Sequence, residues 1–254
     1  MESRGRAPEG AIRIGCSGWS YEHWRGLLYP ERGSSARWLA LYAESFDTVE
    51  VNATFYRLPP SSTVTGWATR TPPGFCFAVK GSRYVTHVKR LREMGASVAR
   101  LEDRIAPLRE SRKLGPILWQ LPPTFKRDDS RLAEALATLP DGRHAFEFRH
   151  GSWFDDDVYA LLGAHGVALV VADRAPEPPT PWVDTADWSY LRFHSGRGRN
   201  GNYSARELGL WAERIVERCR EGYVYFNNDW HGYAVRNAVA LRTRLAKLVR
   251  GATA

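Results

Sequence analysis

The chain has 254 residues, 43% of them hydrophobic, which is enough for a sizeable core and fits one large domain as well as two small ones. Its formal net charge of +8 favours anionic partners: nucleic acid, phosphorylated metabolites or an acidic surface. Cys16, Cys76 and Cys219 stand in no C-x-x-C spacing and no apolar run approaches a membrane span, which argues against a disulfide scaffold, a cysteine zinc site and a transmembrane protein.

The opening residues 1–11, MESRGRAPEGA, hold no apolar run of the signal-peptide kind and are expected to form a disordered tail. A reducing cytoplasm is the expected location. From residue 12 to about 250 one rhythm repeats: an apolar run, a polar loop, a segment with helical spacing. The runs are IRIGCS (12–17), TVEVN (48–52), FCFAVKG (75–81), PILWQL (116–121), HAFEFR (144–149), VALVVAD (167–173), SYLRFH (189–194) and YVYFNND (223–229). Their β-branched and aromatic content predicts eight strands.

Helices are predicted between them. Val98, Leu101, Ile105 and Leu108 make one stripe around 97–113, with Pro107 in its path. Leu132, Leu136 and Leu139 follow a cap at Asp129 or Ser130, and Val158, Leu161 and Leu162 follow Asp155. Ser204 and Glu207 form a capping box before Leu208, Trp211, Ile215 and Cys219. The last helix carries Ala234, Ala238, Leu241, Leu245 and Leu248. Strand-then-helix units imply parallel strands, and at this length they close most economically as an α/β, single-domain (β/α)8 TIM-type barrel over residues 12–250. An open doubly wound sheet is the alternative, but the first strand is not followed by a G-x-G-x-x-G turn.

A barrel strand turns apolar residues to the helices and the others to the axis. Phe146 and Phe148 then face out, and Glu147 and Arg149 face in. The same alternation turns Ser17, Glu50, Asn52, Lys80, Tyr190, Arg192, His194, Tyr225, Asn227 and Asp229 inward. Arg13 also turns inward, near the bottom, where it is expected to be structural. Asp173 ends the sixth strand and Gln120 lies near the end of the fourth. Nearly all of these fall at C-terminal strand ends, where barrel active sites are built. The same charges also read as a self-satisfied ionic layer plugging the barrel.

The phrases IGCSGW (14–19), VEVNATFY (49–56), FAVKGSRYVTH (77–87), LGPILWQLPPTF (114–125), FEFRHGSW (146–153), YLRFHSG (190–196) and YFNNDWHGYAVRNA (225–238) resemble the YecE-like family, a domain of unknown function numbered 72. The resemblance runs from about residue 12 to 248 and implies a TIM-type barrel. It brings no reaction, substrate or cofactor.

Three readings of the chemistry follow. In the first, an enzyme holds a small phosphate-bearing ligand, a sugar phosphate or nucleotide, on Lys80, Arg149 and Arg192. Gly196 opens a loop whose backbone N–H groups approach the anion, aided by Arg197 and Arg199. Asp229, Asp173, Glu147 and a protonated His194 supply acid–base chemistry. Glu50, Asn52 and Asn227 orient the ligand, and Tyr56 and Trp153 belong to an aromatic wall for stacking. Lys80 is expected to be ion-paired rather than a Schiff-base nucleophile. Arg192→Ala is expected to abolish ligand binding and leave the barrel folded. In the second reading the protein is a nucleic-acid-processing hydrolase, similar in site shape to metal-dependent barrel endonucleases. In the third it is a non-catalytic metabolite sensor or an RNA- or DNA-associated binder. No cofactor or membrane partner is expected, although Glu147, Asp173, His194, Asp229 and His231 are ligand types that leave a divalent metal open. The expected state is a monomer or weak oligomer.

Overall fold

The computed structural model describes residues 12–251, so the expectation for the tail at 1–11 lies outside the described residues. Each apolar run becomes a strand: β1 Ile12–Cys16, β2 Thr48–Val51, β3 Cys76–Lys80, β4 Leu114–Gln120, β5 His144–Glu147, β6 Ala168–Arg174, β7 Ser189–Ser195 and β8 Gly222–Phe226. All pairings are parallel, in the order β1-β8-β7-β6-β5-β4-β3-β2. A parallel bridge between Ser17 and Glu50 joins the two ends of that order and nearly closes the barrel.

Among the described residues eight α-helices accompany the strands: α1 Trp38–Ser45, α2 Ala53–Tyr56, α3 Ser61–Thr69, α4 Gly95–Glu110, α5 Asp129–Ala137, α6 Asp156–Ala164, α7 Ala205–Arg218 and α8 Tyr233–Gly251. Val98, Leu101, Ile105 and Leu108 are buried on α4 as their spacing requires. Pro107 lies inside α4 and donates no hydrogen bond. The Asp103 carbonyl one turn back instead accepts a weak contact of 3.5 Å from Ser61 Oγ. The α5 cap is one residue earlier than expected, with Asp128 accepting from the Arg131 amide at 3.1 Å. Leu248, expected on the inner stripe of α8, is 37% exposed. The sequence pattern gave no prediction for α1 and α3. The first, WLALYAES, has few polar residues to define an outer face, and the second, SSTVTGWAT, is rich in weak helix formers.

The capping box is formed as predicted: the Glu207 amide donates to Ser204 Oγ at 3.2 Å, and the Ser204 amide donates to Glu207 Oε2 at 2.8 Å. Ser204→Ala is therefore expected to cost about 1 kcal/mol, read as a lower urea midpoint at unchanged slope. A midpoint equal to wild type would show that α7 is held by its packing alone.

Two hydrophobic regions result. The larger lies between strands and helices and includes Phe77, Trp119, Phe146, Phe148, Leu191, Phe193 and Phe226. The smaller fills the axis with Cys76, Ala78, Leu118, Ala145, Ala168, Val170, Ala172, Tyr190, Tyr223 and Tyr225. The axial column turns polar as it rises. Tyr225 and Thr48 share a hydrogen bond of 2.7 Å, and Tyr190 donates to Glu50 Oε2 at 2.7 Å. Above that lies the ionic layer.

Candidate functional site

β2, β5 and β7 bring Glu50, Glu147 and Arg192 to one height on the axis. Arg192 is 1% exposed and bridges the two carboxylates, with Nη2 2.6 Å from Glu50 Oε1 and Nη1 2.5 Å from Glu147 Oε2. Gln120 Oε1 accepts from the same Nη1 at 3.0 Å, and Ser17 Oγ donates to Glu50 Oε1 at 2.7 Å. Burial pushes both carboxyls up, but Arg192 beside them outweighs it, holding Glu50 below and Glu147 well below the ordinary range. Burial disfavours the guanidinium, yet the two carboxylates reverse that and raise its pKa. Arg192, Glu50 and Glu147 thus pair among themselves as in a structural ionic layer, but Asp173, Asp229 and Lys80 take no part in it and Arg192 Nε has no partner among the described residues.

One step higher the layer opens. Arg149 Nε lies 2.6 Å from Glu147 Oε1, off the line of a hydrogen bond, and His194 Nε2 lies 3.1 Å from both Arg149 Nη2 and Glu147 Oε1, accepting from the guanidinium when it carries no proton and donating to the carboxylate when it does. Asn227 Nδ2 lies 3.2 Å from His194 Nδ1. Burial drives His194 down to about 4, so it is neutral at pH 7 rather than protonated; Glu147 opposes this without prevailing.

Lys80 departs most from its expected state. It is 9% exposed, its Nζ sits 4.1 Å from the centroid of the Phe55 ring, and no carboxylate among the described residues comes within ion-pair distance. Burial, then Arg192, lowers Lys80 to about 8. Asn52 Oδ1, Arg149 Nε and Arg192 Nε are buried without a hydrogen-bond partner among the described residues.

Several expected contributors lie elsewhere. Asp173 turns outward and accepts from Trp211 Nε1 on α7 at 2.9 Å, because Ala168, Val170 and Ala172 take the inward positions of β6. Trp153 is fully buried behind the barrel, stacked 4.7 Å from Phe148, with Nε1 donating to the Phe125 carbonyl at 2.7 Å, so it forms no wall of the mouth. The Gly196 amide is used by the Gly201 carbonyl at 2.9 Å and the Gly198 amide by the Asn202 carbonyl at 3.0 Å, so neither is free for an anion. Glycine is required at 196 for a different reason: a Cβ there would stand 2.5 Å from the Asn202 carbonyl oxygen. Tyr56 is on the rim, 80% exposed. Arg13, at the bottom, pairs with Asp47 at 2.7 Å.

Asp229 reaches the mouth, but the β1 loop claims it. His23 Nε2 lies 2.8 Å from Oδ2 and Trp24 Nε1 donates to Oδ1 at 2.8 Å. Burial raises the Asp229 pKa and these two contacts oppose it. Asp229 lines an open cleft of about 530 Å³ with Tyr21, His194, Asn227 and Trp230. From the sequence His23 reads only as a loop-packing or rim residue, because its partner is 206 residues away. A cavity of about 590 Å³ at the opposite end is lined by Arg13, Phe46, Asp47, Phe75 and Arg242 and touches none of these groups.

Among the described residues no three His, Cys, Asp or Glu side chains gather in a metal-holding arrangement. Arginine and histidine already occupy the oxygens of Glu147, and His23 and Trp24 those of Asp229. The described cysteines, Cys16, Cys76 and Cys219, are free and buried. No helix among the described residues is long and apolar enough to cross a membrane.

Fold and site together define a TIM-type barrel with a charged, partly enclosed C-terminal mouth. Residues 13–253 match the family model described as "Protein of unknown function DUF72", and the chain belongs to that family. It is 29% identical to the UPF0759 protein YunF of Bacillus subtilis (strain 168), over 89% of this chain and 92% of that protein. The crystal structure of the DUF72 family protein TM1631 from Thermotoga maritima shares 33% identity and a TM-score of 0.83, covering 92% of this chain and 99% of that one. A second, EF0366 from Enterococcus faecalis, has 24% identity and a TM-score of 0.78 over 92% of this chain and 95% of that one, which supports the fold. The family resemblance and the barrel expected from the sequence both hold.

Proposed function

We propose that the C-terminal mouth binds a small anionic ligand bearing a phosphate or carboxylate group, and that the protein is an enzyme acting on it. The supporting observation is a charge count. The enclosed cluster holds three cations, Lys80, Arg149 and Arg192, against two carboxylates, Glu50 and Glu147, with His194 neutral. An isolated buried charge is costly, and an anionic group beside Lys80 and Arg149 balances this one. Asn227 and His194 sit at the same opening, and the His23–Asp229 pair stands at its edge as the acid–base candidate.

The test is calorimetric titration with inorganic phosphate and with oxalate. Lys80→Met and Arg149→Met are each expected to weaken binding about tenfold or more, the value of one charge-assisted contact. Absence of binding by the wild-type protein, or unchanged affinity in both variants, overturns the reading.

A nucleic-acid substrate is the second reading. Tyr56, Tyr84 and Trp230, in the segments that follow β2, β3 and β8, are exposed at 80%, 51% and 61%, and Arg57, Arg83, Arg197 and Arg199 in segments after strands of the same barrel, with Arg174 at the end of β6, are exposed as well. It requires single-strand binding that falls steeply with salt. A flat salt response removes it.

A further inference from the structure

Lysine is scarce in this chain. Of its 36 lysine and arginine residues, lysine stands only at positions 80, 89, 113, 126 and 247. Two of these have a clear structural use. The buried Lys113 ammonium donates to the Ala68 carbonyl at 2.6 Å and to Thr71 Oγ1 at 3.0 Å, and Lys89 pairs with Glu93 at 3.0 Å. Lys80 has neither kind of partner among the described residues, and the neighbouring axial positions 149 and 192 are arginine. A guanidinium never deprotonates and serves better wherever a fixed fork is wanted, whereas an amine is the group that titrates and attacks carbonyls.

The surroundings of Lys80 suit that role. The Thr54 hydroxyl donates to the Lys80 carbonyl at 2.7 Å, fixing the strand end, while Nζ is held over the Phe55 face. The segment that follows is a π-helical turn, Tyr84–Val88, and then Arg90, Leu91 and Glu93 adopt positive φ of 49°, 69° and 47°. π-turns and left-handed non-glycine residues concentrate at functional sites. Burial and the adjacent guanidinium of Arg192 keep a usable fraction of the amine neutral near pH 8.

We infer that Lys80 is a carbonyl-reactive amine, forming an imine with a small aldehyde or oxo compound that carries a phosphate or carboxylate. The inference rests on the anion reading above, since Arg149 is the group beside the amine left to hold the charged end of such a substrate. In the step, the neutral amine nitrogen adds to the carbonyl carbon. The two amine hydrogens then leave with the carbonyl oxygen as water, and a C=N bond remains. No oxidant or reductant is consumed.

The experiment is reductive trapping. Protein is incubated with glyoxylate, glyceraldehyde 3-phosphate or, as an uncharged control, propanal, each with cyanoborohydride, and the adducts are mapped by peptide mass spectrometry. With the two anionic probes Lys80 is expected to be modified at least 10-fold faster than Lys89, Lys126 and Lys247, half-maximally near pH 8, and propanal to show no such preference. Lys80→Arg and Lys80→Met should both lose the fast adduct while keeping the wild-type circular dichroism spectrum. Modification ordered by exposure, with Lys80 last, overturns the inference. Where phosphate still binds in calorimetry, that result removes only the imine. Where phosphate binding is also absent, the anion reading falls with it.

Discussion

Arg192→Ala is expected to lower the unfolding free energy by about 3–5 kcal/mol, the typical cost of deleting one partner of a buried ion pair. The reason is geometric. Glu50 and Glu147 are fully buried, and Arg192 contacts both at 2.6 and 2.5 Å. Alanine would leave two facing carboxylates without their guanidinium in a site that water barely reaches. Such a loss is a large share of a domain's total stability of about 5–15 kcal/mol. To the sequence-based expectation of a folded barrel that fails to bind, the two ion pairs add this loss of stability. Urea unfolding at pH 7 provides the measurement. Arg192→Met combined with Glu147→Gln should recover part of the loss, because fewer charges are then left uncompensated. A single-variant loss below about 1 kcal/mol would mean that water or rearranged neighbours solvate the carboxylates, and that the layer is open to solvent.

The contrast between Arg192 and Lys80 marks how far the sequence could be read. Alternation in HAFEFR and SYLRFH separates inward from outward positions and turns Glu147, Arg149, Arg192 and His194 to the axis, where they contact one another. In VALVVAD every residue before the last is apolar, and no alternation tells the two sides apart. The small Ala168 and Ala172 belong on the crowded axis, which sends Asp173 to Trp211. Loops have no period at all. Trp153 enters the core through a short 3-10 turn, and His23 meets Asp229 across the barrel mouth. Pairing within the cluster is a matter of height and reach. Arg192 lies level with both carboxylates and takes them, leaving Lys80 above a phenyl ring.

The second large effect concerns acid. His194 is expected to cost the protein about 2 kcal/mol of stability between pH 7 and pH 5. In the unfolded chain its imidazole takes up a proton near its ordinary 6.5, whereas in the barrel, where burial dominates, it does so only near 4. Across that window the unfolded state binds more protons, so acid favours unfolding; the contribution is fully present above pH 6.5 and is lost progressively as pH falls toward 4. His87 and His144 are also lowered, by burial first, and act in the same direction, so the whole-protein curve does not isolate one ring. Replacement does. His194→Gln removes the titration while its amide can still donate to Glu147, and its loss of stability from pH 7 to 5 should be smaller than that of wild type by about 2 kcal/mol. Glu50 and Glu147 are depressed and yield their stabilisation only from the ordinary carboxylate range downward, while Asp173 and Asp229, raised by burial, act in the opposite direction in wild type and variant alike and cancel in the comparison. Parallel curves for wild type and variant would place a proton on His194 in the native state and restore it as the acid of the site. A convergence of the two toward low pH fits a neutral ring serving as acceptor or donor beside Arg149 and Asn227, with the proton work left to the amine and the His23–Asp229 pair.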